Sequence, residues 1–473
     1  MLFVYQKTFK FDFSIDDKNF INRKKREKSW QLHDKSIKGV LWYIKYHLYG
    51  AGTFGDNPRN EHIFQTCLNA AACVLIYYAF GSNNVSFWTA ILYAVNPINN
   101  QTSIWLNGKR YLINIIIVML MMILGPVGIL IYPLTAFFQV NAIFAPIIYG
   151  IGSWYLLLFI PVFWLICGKE IREKIKMRKS ILHNDDMKTF KPKKIIPIVK
   201  LFGAYMMKMV VPGQTLMWYP TLFFWGLTEK GNKDAYAINL DFLKGCIVIA
   251  LSIAGAFYFK NDIWLYLFMI LSVLQWSGFI TVTQLLTDRY VSLANVFMMY
   301  FLTNITIQNT GDYANIILAC ICTYYYQRLQ ITFMMYKNIW SFYDYQIFFY
   351  PDNPKPYEFK ADRLIVEKQD ILGAWQIVKA GLERCPDDMK LNLLAALCMH
   401  QMGDKPSVLM YIRHAKKHPY VGQEFIVRDY MHKIFGIDLQ NEVQKINEKK
   451  STFDRKQRDN IVNIYNAIEN TLN

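Results

Sequence analysis

The sequence predicts an all-α protein: a polytopic membrane bundle of about ten spans, each near the 20 residues a bilayer requires, followed by a soluble helical-repeat domain. Three observations carry that prediction. Of the 473 residues, 53% are hydrophobic and 16% aromatic, more than a soluble chain usually carries. The apolar residues gather into runs up to about Lys337, beyond which the chain turns polar. Within the polar part, Pro351-Asp352-Asn353 returns as Pro386-Asp387-Asp388 and, degraded, as His418-Pro419-Tyr420. The organisation expected is 1–60 as a polar leading segment, 61–336 as the membrane domain and 337–473 as the repeat domain.

Residues 1–60 hold Asp16-Asp17, the basic run Arg23-Lys24-Lys25-Arg26 and an aromatic amphipathic stretch over 40–49. Trp42, Tyr43, Tyr46 and Tyr49 suit a helix lying at head-group depth. Met1 to Tyr5 is too short an apolar run for a cleavable signal peptide. Apolar segments follow near 62–81, 84–105, 111–125, 126–140, 142–168, 199–226, 243–259, 263–283, 291–307 and 313–336. Pro97, Pro126, Pro133 and Pro146 interrupt several, and broken spans usually line a cavity where freed backbone groups find partners. The loop 169–200 is rich in Lys and Arg, which makes it cytoplasmic. Counting outward from it sets 1–60, the loop 96–110, the turn at Asp288 and the repeats on the exoplasmic side. That count also puts the basic run at Arg23 outside, against the same charge rule.

In the tail, 354–367 pairs with 371–385 and 389–401 with 406–417, with Gly403-Asp404 turning between the last two. The spacing is roughly the 34-residue period of tetratricopeptide repeats. Ala374, Ala396 and Ala415 fall where packed helices need small side chains, and Pro386 and Pro419 follow second helices, as expected of a residue that cannot continue one. Residues 338–350 continue the last span into the first repeat, and the last fifty or so residues read as helical capping.

The net charge of +17 is spread over loops between apolar runs, so anionic lipid head groups are the expected partner and nucleic acid is not. The eight Cys show no metal-ligand spacing, and no phosphate-binding glycine loop, nucleophile elbow or metal cluster stands out. Four places can carry chemistry. Asp16 and Asp17, flanked by apolar residues, suit a carboxylate made basic by partial desolvation; an exposed acidic turn is the other reading. Asp288-Arg289-Tyr290, between two spans, offers a guanidinium for a phosphate, or an ordinary interfacial anchor. The polar break from Asn96-Pro97 to Trp105-Leu106-Asn107-Gly108-Lys109-Arg110 offers a glycine turn and two cations for a phosphate, or a hairpin with interfacial cations. His62 starts the first clear span as a cap, an interfacial donor or a supporting group. No charge pairs and no twofold repeat are evident inside the apolar segments, which disfavours a transporter.

Taken in order, these pieces resemble the transmembrane-and-tetratricopeptide O-mannosyltransferase family and its bacterial relatives, of the GT-C glycosyltransferase superfamily; a diverged, bacterial- or viral-type member is implied. Residues 13–21 look like the family's Asp-Asp element in its first exoplasmic loop. Ser36-Ile37-Lys38-Gly39-Val40 through Gly50 is similar to a Ser-Tyr-Arg-Pro-Leu segment and its aromatic helix, with Lys38 for Arg and Gly39 for Pro. Gly55-Asp56-Asn57-Pro58 and His62-Ile63-Phe64-Gln65 resemble Gly-x-Asn-Pro and Phe-His-Leu-x-Asn, with Gln65 for Asn and Asn69 for a later His. Residues 96–101 and 105–110 resemble His-Pro-x-x-x-Glu and Trp-x-x-Gly-Arg-Lys, and Asp288-Arg289-Tyr290 looks like the family's Glu-Arg-Tyr turn. The resemblance spans about 11–417. It departs in two ways: the family has a span before the Asp-Asp loop that this sequence is expected to lack, and Asn96 and Gln101 put amides where the family has ionisable groups.

The resemblance implies an inverting transferase in the endoplasmic reticulum or a bacterial inner membrane. Its donor is a polyprenyl- or dolichyl-phosphate sugar, mannose in the family, and its acceptor a protein Ser or Thr held by the repeats. Asp16 or Asp17 is then the general base, and Arg289 with Lys109 or Arg110 holds the donor phosphate, supported by His62, Asp288 and Tyr290. No bound cofactor is implied, and a metal requirement is open. A GT-C enzyme acting on an envelope glycan or lipid, and a non-catalytic scaffold whose repeats bind protein partners, remain as alternatives.

Overall fold

A computed structural model describes residues 2–12, 53, 57–138, 142–161, 195–212, 238–279 and 288–417. Asp16, Asp17, the basic run at Arg23, the aromatic stretch 40–49 and the repeat remnant at His418 lie outside the described residues. Among the described residues all regular structure is helical. The chain forms two compact units that meet in sequence between Phe342 and Tyr343.

In the first unit a short helix, α1 (Leu2–Tyr5), precedes α2 (Pro58–Ala79), α3 (Asn84–Val95) and α4 (Lys109–Leu124). Then come α5 (Ile195–Val210), α6 (Leu240–Tyr258), α7 (Ile263–Leu274), α8 (Ser292–Thr310) and α9 (Ala314–Tyr336). Among the described residues, four segments are long and apolar enough to cross a membrane: Pro58–Ala79, Leu106–Thr135, Leu240–Tyr258 and Asp288–Tyr336. At 1.5 Å per residue, the 22 residues of α2 span about 33 Å, the depth of a bilayer's hydrocarbon. On α6, Leu243, Ile247, Leu251 and Phe257 are each more than half exposed, a face compatible with lipid.

The expected spans change where local chemistry breaks them. The run 84–105 ends as a helix at Val95, because Pro97 holds Asn96 extended (φ −68°, ψ 120°). The runs 111–125 and 126–140 form one segment, in which α4 ends at Gly125 (φ 60°) and passes through a 3-10 stretch, Gly125–Ile131, into Tyr132–Phe138. The described part of 142–168 is mostly 3-10 turns, Ala145–Tyr149 and Ile151–Leu158.

The hairpins give the unit two ends. Gly81 (φ 95°) and Ser82 (φ 56°) reverse the chain after α2. Asn83 then caps α3: its Oδ1 accepts from Ser86 N at 2.9 Å, and Ser86 Oγ accepts from Asn83 N at 2.7 Å. Gly311 (φ 53°) reverses the chain between α8 and α9. These two turns share one end, where Asn315 Oδ1 accepts from Trp88 Nε1 at 2.8 Å. The opposite end collects the starts of α2, α4 and α8 and the finishes of α3, α5 and α9. The N-terminal residues close onto it: the Tyr5 hydroxyl donates to Ala94 O at 2.9 Å, and Asp12 N to Lys337 O at 3.1 Å.

The second unit contains α10 (Pro354–Lys368), α11 (Ile371–Arg384), α12 (Met389–Met402) and α13 (Lys405–Lys417). The recurring sequence turns are helix caps. Asn353 Oδ1 accepts from Lys355 N at 3.1 Å, and one period later Asp388 Oδ1 accepts from Leu391 N at 2.9 Å. Ala374, Ala396 and Ala415 are fully buried between helices, and Gly403 (φ 82°) ends α12 in a left-handed turn.

Asp388 is the costly cap. Burial, then the carboxylate of Glu358, pushes its carboxyl from an ordinary 3.8 up to about 7, against the pull of Lys355 and two backbone N–H groups. Glu358 is itself buried, 2.5 Å from Lys355 Nζ and 3.6 Å from Lys390 Nζ, which also reaches Asp362 at 2.9 Å. A carboxyl whose pKa is higher folded than unfolded stabilises the fold at low pH and loses that contribution as pH rises through the folded value. The second unit should therefore lose stability between about pH 4 and 7 and level off above. Asp388→Asn keeps the cap, should flatten that slope and should raise stability at pH 8 by a few kcal/mol, at about 1.4 per pKa unit. Hydrogen exchange of the amides of α10 and α12 in the full chain, followed against pH, reads this; an unchanged slope would contradict it.

Candidate functional site

The site forms where 96–110 meets 288–291 at the N-terminal end of the first unit. Asn96, freed from the helix by Pro97, accepts from Ile98 N at 3.0 Å and donates to Met209 O at 2.9 Å, tying the break to α5. One helical turn, Asn100–Ser103, and a 3-10 turn, Leu106–Gly108, follow. Gly108 has to be glycine: a Cβ there would stand 1.9 Å from the Gln101 carbonyl oxygen. That close approach delivers Lys109 and Arg110 as the first residues of α4.

The two cations go to different places. Lys109 is fully buried, with Nζ 2.5 Å from the equally buried Glu61 carboxylate, 2.8 Å from Thr53 Oγ1 and 5.6 Å from the Phe64 ring centre. Arg110 turns to Tyr111, its guanidinium carbon 5.1 Å from that ring centre. Arg289 arrives at the same Tyr111 from the 3-10 turn Asp288–Val291, its Nε donating to the phenol oxygen at 3.2 Å. Arg110 lies close enough for its charge to act on Arg289. Gln101 Oε1 accepts from the Arg289 backbone N at 3.3 Å and from its guanidinium at 3.4 Å. The Arg289 guanidinium carbon stands 4.9 Å from the Trp105 ring centre and 5.0 Å from that of Tyr290. Tyr290 stacks on Trp276 at 4.4 Å and 8° between planes. Asp288 faces away from this box, 2.6 Å from Lys208 Nζ on α5.

Of the residues picked from sequence, Lys109, Arg110, Arg289, Tyr290 and Asp288 gather at this end; Asp16 and Asp17 lie outside the described residues. His62 does not cap α2, since Asn57 does so through Asn60 N at 3.3 Å. It is buried, with the Phe11 ring edge-on at 6.0 Å. The expectation of no charge pairs inside the apolar segments is corrected. Glu61–Lys109 and Lys208–Asp288 are two, both at this end. Glu61 and Lys208 were legible as ionisable residues within or beside apolar runs, where a partner is required. Tyr111 and Trp276 carry no sequence signal that separates them from ordinary core, and Gln101 is marked in the sequence only as an amide where the resembled family has an ionisable group. Among the described residues no group of three or more His, Cys, Asp and Glu is placed to hold a metal ion. No family model matches the chain, and no curated protein or solved structure matches it either.

Chemically, this end offers guanidinium donors on an aromatic floor, with the neighbouring cation locked into the fold. Breaking the buried pair should be costly. Lys109→Met leaves Glu61 charged and unpaired and should destabilise the protein by about 3–5 kcal/mol, whereas Lys109→Met with Glu61→Gln should recover most of that loss. Thermal unfolding of the single and double variants in lipid nanodiscs decides it; an additive double variant would deny the coupling.

Proposed function

We propose that the chain is a GT-C-type glycosyltransferase, with a membrane body of about ten spans and tetratricopeptide-like repeats. It moves a sugar from a polyprenyl-phosphate donor to a protein Ser or Thr hydroxyl. The observation that carries the reading is the meeting of the Arg110 and Arg289 guanidiniums on Tyr111 at one end of an apolar helical unit. A polyprenyl-phosphate sugar has that chemistry: an anionic phosphodiester head for guanidiniums, which gains a second charge as the sugar leaves, and a long tail for apolar helices.

In the reaction, the acceptor oxygen attacks the anomeric carbon from the face opposite the phosphate, which inverts the centre. The bond from that carbon to the phosphate oxygen breaks and its electron pair stays on the phosphate. The acceptor proton passes to a carboxylate, Asp16 or Asp17. Arg289 and Arg110 stabilise the charge that grows on the leaving phosphate. Lys109 supports them by holding the turn in place through Glu61, and His62, Asp288 and Tyr290 are positioning groups. Asp12, four residues before Asp16, is itself at this end, bonded to Lys337 O. The repeats hold the acceptor polypeptide. Mannose and the Ser/Thr acceptor rest on the family resemblance.

Purified protein incubated with radiolabelled polyprenyl-phosphate sugars should release polyprenyl phosphate. Arg289→Ala should lower that release by about 10²–10³-fold, the usual cost of removing one donor to a developing anion. Asp16→Asn combined with Asp17→Asn should abolish it. Full release by the double Asn variant would reject the assigned base. No release from any donor by folded wild type would favour a scaffold whose repeats bind protein. Release that labels a glycan or lipid and never a polypeptide would identify an envelope-modifying enzyme.

A further inference from the structure

The outer side of α9 carries cations that the fold leaves without acids. Ile316, Cys320, Thr323, Gln327, Gln330 and Met334 recur at steps of three and four residues, so they form one stripe down the helix. All are exposed except Gln330, which is half-buried. The stripe belongs to the segment Asp288–Tyr336, which is long and apolar enough to cross a membrane. In a bilayer its exposed side meets lipid.

The 3-10 turn Gln6–Lys10 runs beside the part of α9 nearer the site. Tyr5 and Phe11 pack on Phe333 with ring centres 5.6 and 6.3 Å apart, and Lys7 Nζ donates to Gln330 Oε1 at 2.9 Å. Lys10 comes one 3-10 turn after Lys7 and shares its side. Arg328 flanks the stripe on its other edge, with its guanidinium carbon 5.8 Å from the Tyr324 ring centre. Lys337 follows the end of α9, and its carbonyl accepts from Asp12 N at 3.1 Å. Among the described residues none of these four cations is paired with a carboxylate, that of Asp12 included.

A cation on the lipid side of a membrane-crossing helix requires an anion, and lipid phosphates are the anions that side offers. Arg328 lies about 12 Å along the axis from Tyr336, one and a half bilayer leaflet depths short of the far end of the helix. Farther down the same side, Ile316 is 63% and Ile317 37% exposed. Along the stripe the order is therefore apolar, then amide, then cationic. A glycerophospholipid has the matching order of acyl chain, ester carbonyls that accept from amides, and phosphate.

We propose that Lys7, Lys10 and Arg328, with Gln327 and Gln330 between them, seat the phosphate of one anionic glycerophospholipid of the phosphatidylglycerol class, its acyl chain lying along Ile316 and Ile317. A choline head group would add a further cation to a place that already has an excess of them. Sugar transfer plays no part in this seat, so it stands or falls separately from the transferase reading.

Native mass spectrometry of the full-length protein in detergent, with phosphatidylglycerol and with phosphatidylcholine, tests it. Wild type should hold one phosphatidylglycerol about tenfold or more tightly than phosphatidylcholine. Lys7→Gln combined with Arg328→Gln should weaken that lipid by about 30-fold, the weight of two cations near an anionic lipid. Lys260→Gln combined with Lys379→Gln removes as much charge from exposed positions away from the stripe and should leave it unchanged. Equal weakening by both pairs would reduce the effect to net charge and overturn the proposal, as would a wild type that does not prefer the anionic lipid. Tighter holding of polyprenyl phosphate than of phosphatidylglycerol would assign the seat to a different lipid and overturn it too. A second measurement needs no variant: phosphatidylglycerol with a diazirine on its acyl chain is photolysed with wild type in nanodiscs. Label concentrated on α9 over 316–320 is the expected result. Label spread evenly over the exposed sides of α6 and α9 would mean no seat.

Discussion

The buried pair of Glu61 and Lys109 ties the first turn of α2 to the first turn of α4, and the geometry of the site follows from it. Both side chains are fully withdrawn from solvent at 2.5 Å, where a lone charge is strongly disfavoured and a pair is tolerated. The pair therefore fixes where α4 begins. Because Arg110 follows Lys109 and Tyr111 follows Arg110, it also fixes where the guanidinium and the phenol stand. Gly108 completes the constraint by letting the chain pass against the Gln101 carbonyl just before α4 starts. A larger residue would push Lys109 off Glu61 and carry Tyr111 away from Arg289.

The helical class and the sequence change near Lys337 were readable because apolar runs and a recurring cap turn are local signals. Pro351-Asp352-Asn353 and Pro386-Asp387-Asp388 looked like a period; their physical content is that Asn353 and Asp388 cap α10 and α12, the first helices of successive pairs, which a chain expresses in the few residues around each cap. Span boundaries were less readable. Nothing within 84–105 reports by hydropathy that Asn96 will bond to Met209 and Asn295, residues more than a hundred positions away. Those long-range bonds make the polar break a folded element instead of the end of a span. The site was half readable for the same reason. Lys109, Arg110 and Arg289 announce themselves as cations beside apolar runs, but the separation of Lys109 from the two that gather at Tyr111 depends on Glu61, which lies 48 residues away from Lys109.

The two amides that depart from the family pattern gain a meaning from their bonds. Asn96 acts on backbone: it caps the turn after Pro97 and holds the Met209 carbonyl. Gln101 acts on Arg289, accepting from both its backbone and its guanidinium. A carboxylate at 101 would orient Arg289 equally well but would cancel much of its charge, and an amide orients it while leaving that charge in place. The amide at 101 therefore leaves a buried, oriented guanidinium with its charge uncancelled, the feature on which the phosphate-binding proposal rests.

That division of labour also orders the polar stripe of α2. Moving along the helix from its N-terminus, Glu61 is consumed by Lys109, His62 meets the Phe11 ring, Gln65 reaches the 102–105 backbone, and Asn69 is left with both amide atoms unpaired. Beyond it Ala72, Cys73 and Ile76 are apolar and fully packed. Polarity on the buried face therefore fades from charged to neutral to apolar with depth. A charge placed against Ala72 and Ile76 would find no partner there, so the gradient confines ionised groups on the buried face to the first turn of α2.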